Sequence, residues 1–333
     1  MGITLALAGD TMLGRGVAAR LAKAPPESLF SPDVVAAAVE ADLFVLNLEC
    51  CISERGEPWP DPRKPFFFRA PPVAVEALSL LGVDCVTLAN NHALDFGAEA
   101  LLDTIDLLAA AGIAAVGAGP DEARARAPAI LSSGGFRLAV IGATDHPEDY
   151  AAGPESPGVA LARLDRGVPG WLAEAVGAAD ADAVLVTPHW GPNMATRPLR
   201  PVRAAAAHLL AAGATLLAGH SAHVFHGVEG PVLYDLGDFV DDYVTDPGLR
   251  NDLGLLFLVT LDARGPARIE AVPLKLEYCH TRLARGADAA WIRRRFRRAC
   301  AHFGTPVAEE RDRLAIDLRG EDARDAAAGV RPA

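Results

Sequence analysis

Six short apolar runs in this chain stop abruptly at a side chain that can bind a metal ion, and this recurrence constrains the fold more than any other feature. The run Cys85-Val86-Thr87-Leu88-Ala89 breaks into Asn90-Asn91-His92, with Asp95 and Gly97 following at the mouth of a helix-like stretch. An apolar run of that length, ended by polar residues, predicts a buried strand whose C-terminal end opens into a site. Taken alone, the stretch reads equally well as a turn, because the Asn side chain mimics backbone. The other runs decide between the two. They end at Asp10, at Asn47 and Glu49, at His189, at His220 with His223 close behind, and at Asp238. Ligands of α/β folds bind at the carboxyl ends of strands, and chance delivers such a side chain there once or twice, not six times.

The intervening chain supports an α/β class. Ile3–Ala8, Leu43–Leu46, Ile113–Val116, Ala183–Thr187, Thr215–Ala218 and Val232–Leu236 read as further strands. Helices are expected after Ser31-Pro32, over Pro71–Leu81, over Gly97–Ala111 with Leu101, Ile105 and Leu108 on one face, and over Val168–Val176, Arg200–Ala211 and Ala287–His302. Ser133-Gly134-Gly135 and Ala263-Arg264-Gly265 signal hairpins. Strands alternating with helices, then hairpins, predict mixed sheets and not one purely parallel sheet. We expect one domain over residues 1–280, with a C-terminal helix and tail over 281–333 that packs on it or frays from it. Residues 54–65, rich in proline and charge, predict a surface loop long enough to contact substrate.

A net charge of -12 over 333 residues disfavours a nucleic-acid partner, since phosphate backbones are repelled. The N-terminal apolar run lacks a basic leader and is too short for a membrane span, and the five cysteines are odd in number and carry no CxxC pair. A cytoplasmic protein with no membrane span is the expectation.

Carboxylate, amide oxygen and imidazole together suit one or two divalent ions, with Mn, Fe, Zn and Mg indistinguishable from ligand type. His92, if not a ligand, stands where it can donate a proton to a leaving group. Arg15 is a candidate for a substrate anion or a surface ion pair, and Trp190 for a substrate contact or a cap on the core. His146, after Asp145, is a further cleft candidate. Asp241 and Asp242 read as a solvated face, His208 and His302 as ordinary helix residues, and the arginines of 293–298 as an exposed or internally paired helix face.

The motifs Gly9–Gly16, Asn47-Leu48-Glu49, Ala89–Gly97, His189-Trp190-Gly191, Gly219–Val224 and Tyr234–Phe239 occur in an order and spacing that resemble the CapA family, associated with capsular poly-γ-glutamate synthesis. That family is similar in fold to calcineurin-like metallophosphoesterases, so the resemblance implies a four-layer α/β/β/α sandwich with mixed sheets. It further implies that Asp10, Glu49, Asn91, His189, His220 and His223 bind metal, with Glu49 in the bridging position and His92 as the acid. Three positions depart from the pattern. Met12 stands where phosphoesterases carry a histidine, Ser221 replaces a histidine with His226 nearby, and Asp238 replaces an asparagine. The implied function is a metal-dependent hydrolase of a phosphoester or of an amide in an acidic, peptide-like substrate. The alternatives are a peptide epimerase that uses a histidine or Asp238 to remove an α-proton, and a non-catalytic component of polymer synthesis.

Overall fold

The first strand runs further than its apolar residues suggest. Asp10 lies inside it, because its N–H donates to the Gly237 carbonyl at 2.9 Å while Asp10 and Thr11 pair with Asn47 and Leu48. The structure, a computed structural model, describes residues 2–320. In chain order its main elements begin with β1 (Gly2–Thr11), α1 (Arg15–Leu21), α2 (Pro32–Ala38), β2 (Leu43–Leu48), α3 (Ala74–Leu80), β3 (Cys85–Thr87), α4 (Gly97–Ala110) and β4 (Ala114–Val116). They continue with β5 (Ala129–Ser133), β6 (Phe136–Thr144), α5 (Gly170–Gly177), β7 (Ala183–His189), α6 (Arg200–Ala211), β8 (Leu216–Ala218), β9 (Val228–Glu229) and β10 (Val232–Leu233). The remainder is β11 (Asp238–Val240), β12 (Leu253–Asp262), β13 (Gly265–Glu277), β14 (His280–Leu283), α7 (Gly286–Ala301), β15 (Ala308–Glu310) and β16 (Arg313–Asp317).

Two mixed sheets result. The larger has the order β15-β16-β13-β12-β1-β2-β3-β4, with β11 added beside β1 and β14 beside β13. Its β1–β4 half is parallel and its β12, β13, β15 and β16 half antiparallel. The smaller has the order β9-β10-β8-β7-β6-β5, parallel in the middle with antiparallel edges.

Strand side chains alternate between faces, and three apolar cores follow from that alternation. Leu5, Leu7 and Val45 of the larger sheet meet Val140, Leu185 and Leu216 of the smaller. Their neighbours Ala6, Ala8, Phe44 and Leu46 turn the other way, toward Val17 of α1, Val34 of α2 and Leu101 of α4. On the far face of the smaller sheet, Ile141, Val186 and Leu217 pack with Leu172 of α5 and Leu209 of α6.

Some expectations are corrected. The β15–β16 hairpin extends the larger sheet where no strand was expected, the helix over Pro71–Leu81 shrinks to Ala74–Leu80, and the strand from Val232 stops at Leu233. Asp241 and Asp242 are not solvated; they are 6% and 9% exposed. The basic helix is α7. It inserts Ile292, Phe296 and Cys300 into the core between the sheets, while Arg297 pairs with Glu309 of β15 at 2.7 Å. The tail expected to fray beyond Gly320 lies outside the described residues. Among those described, no helix is long and apolar enough to cross a membrane.

Candidate functional site

Register brings the chemistry together. β1 pairs in parallel with β11 and β2 so that Asp10 faces Asp238 on one side and Asn47 on the other, and Asn47 in turn aligns with Thr87 at the end of β3. From the second sheet, His189 at the end of β7 bridges to His220 just past β8. The carboxyl ends of both sheets therefore meet.

Two groups of buried side chains at this junction could hold a metal ion. They are Asp10, His189 and His220, and Asp10, His223 and Asp238, and within each group one ligand atom per residue lies within 4.8 Å of the others. Asp10 belongs to both. The Nδ1 atoms of His189 and His220 are 2.8 Å apart, and His220 Nε2 is 3.0 Å from Thr187 Oγ1. His223 Nδ1 is 2.8 Å from Asp238 Oδ1 and 3.1 Å from Asp10 Oδ2. The loop carrying His220 and His223 is held in shape by Asp235, whose carboxylate accepts the Ala222 and Gly237 N–H groups at 2.8 and 2.9 Å. Ser221 and His223 adopt φ of 119° and 59° within that loop, and Ser221 Oγ donates to the Gly191 carbonyl at 3.0 Å.

The donor set fits a cation. Glu49 Oε1, Asn91 Oδ1, Asp238 Oδ2 and Asp241 Oδ2 are buried with no hydrogen-bond partner. Each such acceptor costs about 1–3 kcal/mol, and more when charged, a cost that a bound cation would relieve. Ionisation agrees. Burial pushes His189 well below its usual range, with His220 adding to the shift, and burial brings His220 down to about 4 against the pull of Asp10. Both imidazoles are thus in the neutral form that metals bind. Burial alone would raise the Asp10 carboxyl, but His223, His220 and Asn47 outweigh it and lower it. Burial, reinforced by the Asp10 charge, pushes Glu49 well up. Burial also opposes a charged His223, yet Asp238 and Glu49 outweigh it and raise that imidazole.

Beside these groups stands a separate imidazole. His92 Nδ1–H donates to Asp95 Oδ2 at 2.7 Å, and its ring stacks on Phe68 with centroids 4.0 Å apart. Asp95 is fully buried and also accepts the Phe68 N–H at 2.6 Å and the Tyr150 hydroxyl at 3.2 Å. This fixes the tautomer, leaving Nε2 as the free ring nitrogen. Burial lowers the His92 pKa while Asp95 works against that shift. Asn90 is both a turn residue and a cross-brace: its Oδ1 accepts the His92 N–H at 3.0 Å, and its Nδ2 donates to Asn47 Oδ1 at 2.9 Å. Tyr243 joins the two parts, with its ring 5.9 Å from Phe68 and 5.4 Å from His223 and its hydroxyl 3.4 Å from Glu49 Oε2.

Several sequence candidates are placed differently from expectation. Glu49 is fully buried but falls in neither Asp/His group, and Asn91 is half-buried with only its Oδ1 covered, while Asp10 is common to both groups. Asp238, expected as a proton-removing base, has one oxygen on His223 and sits in the second group. Trp190 belongs to the outer core of the smaller sheet, 3% exposed, with its indole N–H given to the Tyr234 carbonyl at 2.9 Å, which matches the expected cap on the core. Arg15 forks onto Asp242 at 2.5 and 3.1 Å, which accounts for its guanidinium without a substrate anion. Met12 is a core side chain, and His226 turns to the Ala195 carbonyl at 2.7 Å and does not replace the histidine absent at Ser221. His146 does reach the site, its ring 5.2 Å from that of His189, and lines an open groove of about 420 Å³ with Asp145, Glu148, Arg163, Asp165 and Asn193. Asp95, Lys64 and Tyr243 went unassigned; only Asp95, three residues after His92 in one turn, had a local signal.

Residues 4–243 match the family described as bacterial capsule synthesis protein PGA_cap. A Mycobacterium tuberculosis H37Rv protein named "Probable polyglutamine synthesis accessory protein" is 36% identical over 291 residues, covering 82% of this chain and 76% of its own. The capsule biosynthesis protein CapA of Bacillus anthracis is 28% identical over 291 residues, covering 83% of this chain and 68% of its own. A crystal structure of a hypothetical protein from Thermus thermophilus aligns with a TM-score of 0.40 at 16% identity, over 84% of this chain and 95% of that one, too distant to carry an argument. On the extent of the family match and the identity to these relatives, this chain belongs to the PGA_cap family of bacterial capsule synthesis proteins, the family of CapA.

Proposed function

We propose that this protein is a metal-dependent hydrolase serving capsule or polyglutamate synthesis, and that it cleaves a phosphoester or an amide in a peptide-like substrate. The observation that carries this reading is the division of labour around Asp10. Two Asp/His groups share it, while His92 stands outside both with its own carboxylate, Asp95. We read the layering of three cores as a four-layer α/β/β/α sandwich of metallophosphoesterase type, supported by the core between the sheets and the helices over each outer face. Asp10, His189, His220, His223 and Asp238 would hold one or two divalent ions, with Glu49 and Asn91 supplying the oxygens that lack partners. Such an ion polarises a substrate oxygen and lowers the pKa of a water. The chain's own part is to orient and to move a proton. Asp95 accepts the His92 Nδ1–H, so the bare Nε2 would take up the proton that the adding water loses and pass it to the departing group.

Asp238 draws no support as the base of an epimerase, because one of its oxygens is committed to His223. A non-catalytic role is the second reading, favoured by the word accessory in the name of the mycobacterial relative. The deciding experiment loads the protein with Mn, Fe, Zn or Mg and screens phosphoesters and γ-glutamyl and other peptides. Asp10→Ala should lose most bound metal and all turnover. His92→Ala should keep its metal while turnover falls about 10²–10⁴-fold. A protein that takes up no metal, and that still supports polymer synthesis as His92→Ala, would leave the accessory reading in place.

A further inference from the structure

The proline-rich loop over 54–65 carries no regular element, yet it grips the His92 turn at three points. The Trp59 N–H donates to the Asp95 carbonyl at 2.8 Å. Lys64 Nζ donates to the Asn91 carbonyl at 2.8 Å and lies 2.9 Å from Asp95 Oδ1. The Lys64 stem is nearly buried, 13% exposed, and its ammonium lies 5.8 Å from the Phe67 ring centre and 5.4 Å from that of Tyr150. Trp59 braces the same wall, its ring 4.7 Å from Tyr150 and its indole N–H on Asp149 at 3.0 Å.

We propose that Lys64 is the positioning residue for His92, fixing from the loop both the Asp95 carboxylate and the backbone of Asn91. Asp95 is a fully buried carboxylate whose Oδ2 takes His92 and the Phe68 amide, while Oδ1 takes Tyr150 and Lys64. Of these partners, only Lys64 brings an ammonium group. A buried carboxylate without a cation is costly and moves to find one, and the nearest movable partner is the imidazole it is meant to hold still. With Lys64 on Oδ1, Oδ2 remains an acceptor for His92 Nδ1–H and the ring stays stacked on Phe68. The proline-rich stretch is therefore part of the site's framework, because its single lysine completes the buried carboxylate on which the imidazole rests.

The effect of this placement on turnover rests on the hydrolase reading; the placement itself does not. The test uses the full chain labelled with ¹⁵N-histidine, with His92→Gln to assign the ring signals. In the wild type, His92 should show one tautomer, with Nδ1 protonated and Nε2 bare. In Lys64→Met, which keeps the stem but not the charge, the two nitrogen signals should move toward each other, and kcat should fall about tenfold or more with KM within threefold. Lys64→Arg should return the signals most of the way, and Arg63→Ala, on the exposed side of the same loop, should change nothing. Unaltered His92 signals in a folded Lys64→Met protein would overturn the proposal. If that variant does not fold, Lys64→Arg decides: wild-type ring signals support the proposal and mixed tautomers overturn it. A wild type that hydrolyses nothing in the screen would end the hydrolase reading, while the ring signals would still settle the role of Lys64.

Discussion

Burial lowers the pKa of His92, His189, His220 and His226, and His226 isolates that effect because it lies outside both Asp/His groups. Its Nε2–H donates to the Ala195 carbonyl at 2.7 Å, and burial brings its pKa from about 6.5 to about 4. Between those values the unfolded chain binds a proton that the folded chain refuses. Stability is therefore retained above pH 6.5 and lost as pH falls toward 4, at about 1.4 kcal/mol per unit. His226→Gln removes this titration. The gap in denaturation free energy between wild type and variant should shrink by about 3 kcal/mol from pH 7 to pH 4; a constant gap would show that His226 titrates alike folded and unfolded. Residue type alone marked Asp10, His189, His220 and His223, which the structure distributes over two groups that share Asp10. It could not place Trp190 or Arg15, since an indole or a guanidinium has the same letter whether it meets a substrate or the Tyr234 carbonyl and Asp242.

Elements meet at the site through one close approach. A Cβ added to Gly9 would lie 1.9 Å from the Gly237 carbonyl oxygen, the atom that accepts the Asp10 N–H, and Gly237 itself turns at φ 75°. Only glycine lets β1 lie against the turn that places Asp238 beside Asp10. Gly9→Ala should destabilise the fold by about 1–3 kcal/mol through overpacking and should lower metal uptake as well. Thermal melting and elemental analysis check both, and undiminished uptake would show that the Asp10–Asp238 register tolerates the push. The longer elements were legible because their periods are strong: α4 and the β12–β13 hairpin fall within a few residues of expectation. The β15–β16 hairpin was not, because Ala308–Glu310 is exposed throughout and offers no alternation.

At the scale of the whole molecule, the C-terminal helix belongs to the same core as the sheets. Phe296 of α7 is fully buried against Phe225 and Phe257, with ring centres 6.2 and 6.0 Å away. Phe296→Ala should cost about 3–5 kcal/mol and lower a single unfolding transition without altering the ligands around Asp10. Two transitions in a denaturant melt, one sensitive to Phe296 and one not, would instead make α7 a separate unit. Family membership and the overall α/β class were legible at this scale because the six motifs are short, ordered and local.

What the amino-acid sequence determined by itself is local: which apolar runs end in a carboxylate, an amide or an imidazole, and hence that the strand ends carry side chains that could hold a metal ion. That information resides in residue type and spacing, and it needs no knowledge of how strands pair. The tertiary structure decided how those groups are shared. Asp10 became common to two groups because β1 lies between β2 and β11 while the second sheet brings His189 and His220 to the same edge. His92 was separated from the two Asp/His groups because Asp95, Tyr150 and Lys64 meet there from three parts of the chain. Hydrogen bonds and ion pairs act only over a few ångströms, so partners distant in sequence are chosen by the packing of sheets and loops.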